Sequence, residues 1–211
     1  MKKEELSYKE FKKIVEEVEK KGKYYHCRNK PKNKPVRVII LTGQAGSGKT
    51  TAAEFLNKNI SNSVIINYGD ALKWVAERFY GWNGEKNEIG RTLLQQLGTE
   101  VGRAKNPDIW LNIVKLVSLN VLPFNDKETK TIIIGDARFD NEVLGWDGSD
   151  RTVIQVGRDD NQQNLYTVEQ TLHASEQGVS EDLINHFVYE NSVEDLYDEL
   201  TRIAEDERWF L

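Results

Sequence analysis

The segment that most constrains the fold is a glycine-rich loop between a predicted strand and a predicted helix. Residues 43–50 read GQAGSGKT, which matches the pattern G-x-x-x-x-G-K-T. Residues 36–41 before it form an apolar, β-branched run typical of a buried parallel strand, and residues 51–58 after it are typical of the beginning of a helix. In such a loop backbone N–H groups surround phosphate oxygens, Lys49 reaches the β- and γ-phosphates, and the Thr50 hydroxyl can ligate Mg²⁺. The sequence therefore predicts a nucleoside triphosphate site, with the helix N-terminus facing the phosphates.

Length and composition fit a soluble globular domain with a full core. The chain has 211 residues, of which 38% are hydrophobic and 30% charged, enough for one domain with an extension or an insertion. No stretch approaches the roughly 20 apolar residues of a membrane span, and no apolar run follows Lys2 and Lys3 as in a secretory signal. The single cysteine, Cys27, excludes an internal disulfide and indicates a reducing compartment. We expect a cytoplasmic protein, in the host cytoplasm if the chain is viral, that does not bind membranes.

Charge is unevenly distributed along the chain. Residues 1–37 contain 13 Lys and Arg against 6 Asp and Glu, whereas residues 38–211 contain 16 against 28. The basic stretch 21–37 is either an arm for nucleic acid or a partner protein, or a solvated linker after an N-terminal helix. We favour the linker, because the acidic body argues against binding of duplex nucleic acid. An apolar stripe over residues 5–20 predicts that helix, which would pack on its own domain or on a second subunit of a homodimer.

Short apolar runs alternate with helical patterns along the rest of the chain. Four more strands are predicted at 64–67, 131–135, 152–156 and 187–189, and helices near 49–59, 70–80, 89–103, 107–120, 162–177 and 193–206. This alternation predicts an α/β fold of the three-layer P-loop NTPase type, with a five-stranded parallel sheet, helices on both faces and a ligand at the carboxyl ends of the strands. We expect an N-terminal helix and linker at 1–35 and a main domain at 36–211. Within that domain we expect a helical substrate-binding insertion at about 70–120 and a lid at about 157–180.

Charged residues follow two of the predicted strands. Asp136, at the end of an apolar strand, can hold a Mg²⁺-bound water beside Thr50, and Arg138 projects into the same crevice. The alternative is a turn acid with a surface arginine, which the hydrophobic strand before Asp136 disfavours. Arg158 follows the next strand and can clamp a transferred phosphoryl group from the lid.

A second set of candidate residues lies in the helical insertion. The helix that starts near Arg91 places Arg91 and Gln95 four residues apart on one face. Arginine binds phosphate monoesters in a planar, bidentate way, so Arg91 and Arg103 are candidates for an acceptor phosphate, although both could be exposed helix arginines. Three tryptophans of the region are expected to be core residues rather than platforms for a base: Trp74, Trp82 and Trp110.

Together these motifs resemble the deoxynucleoside monophosphate kinases found in bacteriophages. The resemblance covers roughly residues 36–200 in the same order. It rests on the loop around Lys49 and on five further segments: GDALK at 69–73, residues 91–103, DIW at 108–110, DARFDNE at 136–142 and HASE at 173–176. It implies an adenylate-kinase-like fold and transfer of the γ-phosphoryl group of ATP, with Mg²⁺, to a deoxynucleoside 5′-monophosphate.

The resemblance also implies residue roles. ATP would contact Gly43, Ala45, Gly46, Ser47, Gly48, Lys49, Thr50, Thr51 and Asn191, and the monophosphate would contact Asp70, Lys73, Arg91, Gln95 and Arg103. Catalysis would depend on Lys49, Asp136, Arg138 and Arg158, and Mg²⁺ on Thr50 and, through water, Asp136. Two features depart from the family pattern: Glu190-Asn191-Ser192 lacks the glycine of the turn that borders the adenine, and the first 35 residues have no counterpart.

Other functions remain open from the sequence. The absence of an N-K-x-D loop at the end of a strand argues against a GTPase. A kinase of another phosphorylated small molecule, such as phosphomevalonate, would use the same scaffold and also needs arginines for its acceptor. A nucleotide-binding switch, whose basic arm engages nucleic acid or a partner, would hydrolyse ATP slowly without any acceptor.

Overall fold

The computed structural model describes residues 36–120, 129–158 and 178–209, without the side chains of residues 119 and 120. These residues divide into two compact units: a helical unit of residues 66–120 and a sheet unit that contains the rest. Several predictions fall outside the described residues: the N-terminal helix at 5–20, the basic stretch up to residue 35, the helix at 162–177 with the HASE segment, and most of the lid.

Five parallel strands form the sheet unit, in the spatial order β2-β3-β1-β4-β5. They are β1 (Val36–Thr42), β2 (Ser63–Ile65), β3 (Lys130–Ala137), β4 (Asp150–Gly157) and β5 (His186–Tyr189). All four neighbouring pairs are parallel, which confirms the predicted α/β fold with a five-stranded parallel sheet. Because β1 is the central strand, the glycine-rich loop leaves the sheet at the middle of its carboxyl edge.

The described residues contain six α-helices: α1 (Lys49–Asn59), α2 (Tyr68–Tyr80), α3 (Glu88–Gln95), α4 (Ile109–Asn120), α5 (Asp140–Leu144) and α6 (Val193–Asp206). Helices α1, α2, α4 and α6 lie within two residues of predicted helices. The helix predicted at 89–103 is α-helical only as far as Gln95 and continues as a π-helix over Gln96–Arg103. Helix α5 and a 3₁₀ turn at Glu181–Leu183 were not predicted, because neither is long enough to show an apolar period. None of the described helices is long and apolar enough to cross a membrane.

Both faces of the central strands are buried. On one face α1 and α6 pack against the sheet and against each other, where the rings of Phe55 and Tyr197 stack with centroids 4.4 Å apart. Consecutive residues of a strand point to opposite faces, and residues 38–41 of β1 are all fully inaccessible to solvent. The continuous apolar run that predicted β1 is therefore the pattern of a strand covered on both sides.

Candidate active site

Three glycines with left-handed backbones shape the glycine-rich loop. Gly43, Gly46 and Gly48 have φ angles of 133°, 80° and 99°, which residues with a side chain rarely adopt. Gly43 is also confined by its neighbour, since a Cβ there would lie 2.1 Å from the carbonyl oxygen of Val156. The loop therefore starts in direct contact with β4, and only glycine fits at its first position.

Lys49 is folded back over the loop that precedes it. Its ammonium group donates to the carbonyl oxygens of Gly43 at 2.8 Å and Gln44 at 2.5 Å, and to Ser47 Oγ at 3.4 Å. Only 9% of Lys49 is exposed. These contacts hold a positive charge beside the backbone N–H groups of the loop, an arrangement that complements phosphate oxygens.

The N-terminus of α1 suits an anion. Its N-cap residue is Gly48, no side chain caps it, and its first turn contains no acidic residue. The first N–H groups of a helix have no partner within the helix and carry the positive end of its dipole. Thr50 is exposed and Thr51 half-buried in this turn, so both lie where a bound phosphate would meet the helix.

Asp136 lies at an irregularity of β3. Ile40 pairs with Ile134, but Thr42 pairs with Ala137, so β3 has one more residue than β1 over this interval. An extra residue of this kind, a β-bulge, changes the direction of the side chains beside it and is common next to active sites. The half-buried Asp136 consequently lies across from the last residues of β1, just before the glycine-rich loop begins.

A buried carboxylate holds the turn that follows β3. The backbone N–H groups of Arg138 and Phe139 donate to Glu142 Oε2 at 2.8 and 3.2 Å. Glu142 is the third residue of α5 and only 1% of it is exposed. The sequence motifs predict no role for Glu142, although a glutamate three residues after the start of a turn has the spacing of a helix capping box.

Arg158 and Asn191 lie on the other side of the loop. Thr42 of β1 pairs with Gln155 of β4, and the exposed Arg158 comes three residues later. Gly157 pairs with Tyr189 of β5, and the exposed Asn191 comes two residues after that. The strand order thus brings the loop, Asp136, Arg138, Arg158 and Asn191 to one edge of the sheet, while their individual roles stay predictions.

In the helical unit, Asp70 and Lys73 form an ion pair at the start of α2. Asp70 is completely buried. Its Oδ1 lies 3.0 Å from Lys73 Nζ, and its Oδ2 accepts the backbone N–H of Asn67 at 3.3 Å. With its carboxylate engaged in this way, Asp70 is suited to orienting Lys73, which is the member of the pair whose charge can attract a phosphate.

Arg91 is oriented by the loop before its helix. Its Nε donates to the carbonyl oxygen of Lys86 at 2.9 Å, and Asn87 caps the same helix by accepting the N–H of Gly90 at 2.9 Å. The contact with Lys86 restrains the plane of the guanidinium group, whose terminal nitrogens are suited to bidentate phosphate binding. Gln95 lies one turn further along, as the last residue of α3.

Arg103 and Trp110 share one backbone acceptor. The carbonyl oxygen of Gly98, inside the π-helix, accepts Arg103 Nη1 at 3.0 Å and the buried Trp110 Nε1 at 2.9 Å. In a π-helix each hydrogen bond reaches one residue further than in an α-helix, and such segments are frequent at functional sites. The side chain of Arg103 is therefore held against its own helix.

The tryptophans of this unit differ in burial. Trp82 and Trp110 are core residues, with 7% and 4% of their surface exposed, as expected. Trp74 is only half-buried, and its ring meets that of Phe79 edge-on with centroids 5.8 Å apart.

The sheet edge offers side-chain oxygen donors of the kind that Mg²⁺ accepts. Within residues 36–120, 129–158 and 178–209, no three His, Cys, Asp or Glu side chains are grouped closely enough to bind a metal ion. Mg²⁺ characteristically takes one or two protein ligands and completes its shell with phosphate oxygens and water. Thr50 and Asp136 offer the kind of oxygen donors that such a site requires.

Comparison of the sequence with protein families decides the assignment. The profile of deoxynucleotide monophosphate kinases matches residues 77–200, more than half of the chain. The chain belongs to the deoxynucleotide monophosphate kinase family. It is therefore a nucleotide monophosphate kinase, which confirms the resemblance noted in the sequence. The matched range includes Arg91, Asp136 and Arg138 but begins after the glycine-rich loop.

Solved structures of other kinases are similar over most of the chain. Thymidylate kinase from Candida albicans is 11% identical, with 83% of this chain and 93% of that chain covered and a TM-score of 0.42. Shikimate kinase from Bacteroides thetaiotaomicron is 14% identical, with 83% and 99% covered and a TM-score of 0.44. APS kinase from Mycobacterium tuberculosis is 11% identical, with 82% and 99% covered and a TM-score of 0.41. These likenesses are too distant to indicate a substrate. No curated protein sequence is significantly similar to the chain.

Proposed function

We propose that this family member transfers the γ-phosphoryl group of ATP to a deoxynucleoside 5′-monophosphate. The observation that carries the proposal is the loop at 43–50, with its glycine conformations and its inward-folded Lys49. This loop lies outside the residues that match the family profile. Two separate parts of the chain therefore support one reaction: the loop supports a triphosphate donor, and the matched residues support a monophosphate acceptor.

On the donor side, the loop holds the phosphates of ATP through its N–H groups and Lys49, and α1 presents its positive end to them. Thr50 and, through a water molecule, Asp136 would hold Mg²⁺, which would supply charge neutralisation of the phosphoryl oxygens. Arg138 and Arg158, which follow β3 and β4 at the same edge, bind oxygens that gain charge as the phosphoryl group moves. Transfer of this kind depends on in-line positioning and charge stabilisation and needs no covalent enzyme intermediate.

On the acceptor side, Arg91 binds the phosphate of the monophosphate substrate through its two terminal nitrogens. Lys73, oriented by Asp70, adds a second positive charge, while Gln95 and Arg103 contribute polar contacts from the same helical unit. Arginine is the residue suited to an acceptor phosphate because its planar guanidinium group matches two phosphate oxygens at once. The single cysteine of the chain fits action in the reducing cytoplasm, where such nucleotides are made.

The proposal is tested by measuring ADP formation from ATP with a panel of acceptors. We expect at least one deoxynucleoside monophosphate to accelerate ADP formation more than about a hundredfold over ATP alone. Stimulation by an isoprenoid phosphate and by no nucleotide would instead identify a kinase of another small molecule. Slow hydrolysis that no acceptor accelerates would identify a nucleotide-binding switch.

A further inference from the structure

Glu142 is a buried carboxylate that has no direct role in the proposed reaction. Only 1% of its surface is exposed, and one of its oxygens accepts the backbone N–H groups of both Arg138 and Phe139. Burying a carboxylate is costly unless hydrogen bonds compensate it. Hydrogen bonds from N–H groups to a charged oxygen are about twice as strong as those between neutral groups. Glu142 therefore fixes the backbone at Arg138 more firmly than a neutral cap would.

The contact between Glu142 and the backbone of Arg138 lies at the edge of the sheet that carries the proposed donor site. Ala137 pairs with Thr42, the last residue of β1, so Arg138 is the first residue beyond the paired region on β3, as Gly43 is on β1. The extra residue at Asp136 lies immediately before it. The paired register of β1 and β3 ends at Thr42 and Ala137, and the hydrogen bonds to Glu142 begin at the next residue of the chain, Arg138.

A second acidic residue of α5 anchors a different segment. The carboxylate of Asp140 accepts the backbone N–H of Ser180 at 2.8 Å and its hydroxyl group at 2.6 Å. Within the first turn of α5, Asp140 therefore binds the segment before β5, and Glu142 binds the turn after β3. Of these two carboxylates, Glu142 is the one that accepts the backbone N–H of Arg138.

We propose that Glu142 is a positioning residue for catalysis that acts through Arg138. The inference rests on the proposed function, in which Arg138 binds the phosphoryl group in transit. A displacement of about 1 Å in such a group costs up to about a hundredfold in rate. Glu142 holds the backbone of Arg138 so that the guanidinium group meets the transition state without further rearrangement, and it leaves substrate binding to other residues.

The test compares Glu142→Gln with a matched control. Glutamine keeps the length of the side chain but loses the charge that binds the two N–H groups. We expect kcat to fall about 10- to 100-fold, with the KM values for ATP and monophosphate within about threefold of the unaltered protein. Asp195→Asn is the control, because Asp195 occupies the same third position of α6, where it contacts Ser192 instead. It is expected to keep kcat within about twofold.

A double-mutant cycle separates positioning from a merely structural role. In an Arg138→Ala background, Glu142→Gln is expected to cause no further loss of kcat, since the residue through which it acts has been removed. Rates are expressed per ATP-binding-competent protein, determined by calorimetric titration, so that partial unfolding does not count as lost catalysis. If Glu142→Gln does not fold, Glu142→Asp replaces it. This variant keeps the charge but is one methylene shorter, and it is expected to show the same fall in kcat and the same absence of further loss in the Arg138→Ala background.

Two results would overturn the inference: an unchanged kcat per competent molecule, or the same fold-loss with and without Arg138. Failure of the proposed function has a different signature. The unaltered protein would then show no ADP formation dependent on any nucleoside monophosphate.

Discussion

At the scale of single residues, Gly43 shows how one position can be doubly constrained. Its φ of 133° is unfavourable for any residue with a side chain, and the carbonyl oxygen of Val156 occupies the place where a Cβ would stand. The first constraint follows from local backbone shape and the second from the packing of the loop on β4. The sequence cannot distinguish the backbone constraint from the packing constraint, because each alone would require a glycine. The structure shows that both act on Gly43.

We predict that Gly43→Ala lowers the free energy of unfolding by about 2–4 kcal/mol, since the left-handed backbone and the overlap with Val156 both add cost. It should also abolish ATP binding, because the loop must move away from β4. Urea denaturation and calorimetric titration measure the two effects. Gly148→Ala is the control: Gly148 has a φ of 86° and no atom within 4 Å of the added Cβ. Gly148→Ala should lower the free energy of unfolding by only about 1–2 kcal/mol and leave ATP binding intact. Equal losses of stability and of ATP affinity in the two variants would contradict this account.

Arg91 allows a second test at the residue scale. We predict that Arg91→Ala raises the KM for the monophosphate about 10- to 100-fold, the loss expected for charge-assisted hydrogen bonds to a phosphate. The KM for ATP should stay within about twofold, and steady-state kinetics with each substrate varied in turn measure both. Arg78→Ala, an exposed arginine in the last turn of α2, should change neither. A rise in the KM for ATP alone would show that Arg91 does not serve the acceptor.

At the scale of elements, the π-helix is the feature that sets the geometry of Arg103. It places the Gly98 carbonyl within reach of two side chains, and the absence of a side chain at Gly102 makes room for Trp110. A Cβ at Gly102 would lie 2.9 Å from Trp110 Cζ2 and 2.9 Å from the carbonyl oxygen of Leu97. The close approach of α4 to the π-helix therefore depends on a glycine that is not at a turn.

We predict that Gly102→Ala destabilises the protein by about 1–2 kcal/mol, although alanine is the better helix former. Displacement of Trp110 from Gly98 should also raise the KM for the monophosphate, because Arg103 shares that acceptor. Urea denaturation measures the loss of stability, near-ultraviolet circular dichroism of the tryptophans measures the displacement of Trp110, and steady-state kinetics measure the KM. Thr92→Ala, at an exposed position of α3, should alter stability by less than about 0.5 kcal/mol. Stabilisation by Gly102→Ala would show that Trp110 does not pack as described.

At the scale of the whole molecule, the sequence predicts the sheet better than the details of the site. The apolar runs of β1 and β3 are unambiguous, because strands buried on both faces carry no polar alternation. The extra residue at Asp136 and the π-helix at Gln96–Arg103 could not be predicted. Each shifts hydrogen bonds by one residue and leaves the pattern of apolar residues almost unchanged. The contact between Glu142 and Arg138 depends on a five-residue helix, too short to show a period.

The two units of the chain also differ in how their functional residues can be recognised. In the sheet unit a continuous motif predicts the proposed donor site, because phosphate binding by backbone N–H groups requires glycines at fixed spacing. In the helical unit the candidates are isolated side chains such as Arg91 and Lys73. Their orientation depends on contacts with Lys86 and Asp70. Helix spacing and the chemistry of arginine suggest Arg91 and Arg103 as candidates, whereas Asp70 and Lys73 are predicted only from the family resemblance.

Following the γ-phosphoryl group itself tests the central claim most directly. The protein is incubated with γ-labelled ATP, Mg²⁺ and each deoxynucleoside monophosphate, and the products are separated by chromatography. We predict label in the β-phosphate of a deoxynucleoside diphosphate. No transfer is expected with Lys49→Ala, which should nevertheless fold, because Lys49 contacts its own loop and is not part of the hydrophobic core. Label that appears only as inorganic phosphate, or transfer that persists in Lys49→Ala, would contradict the account.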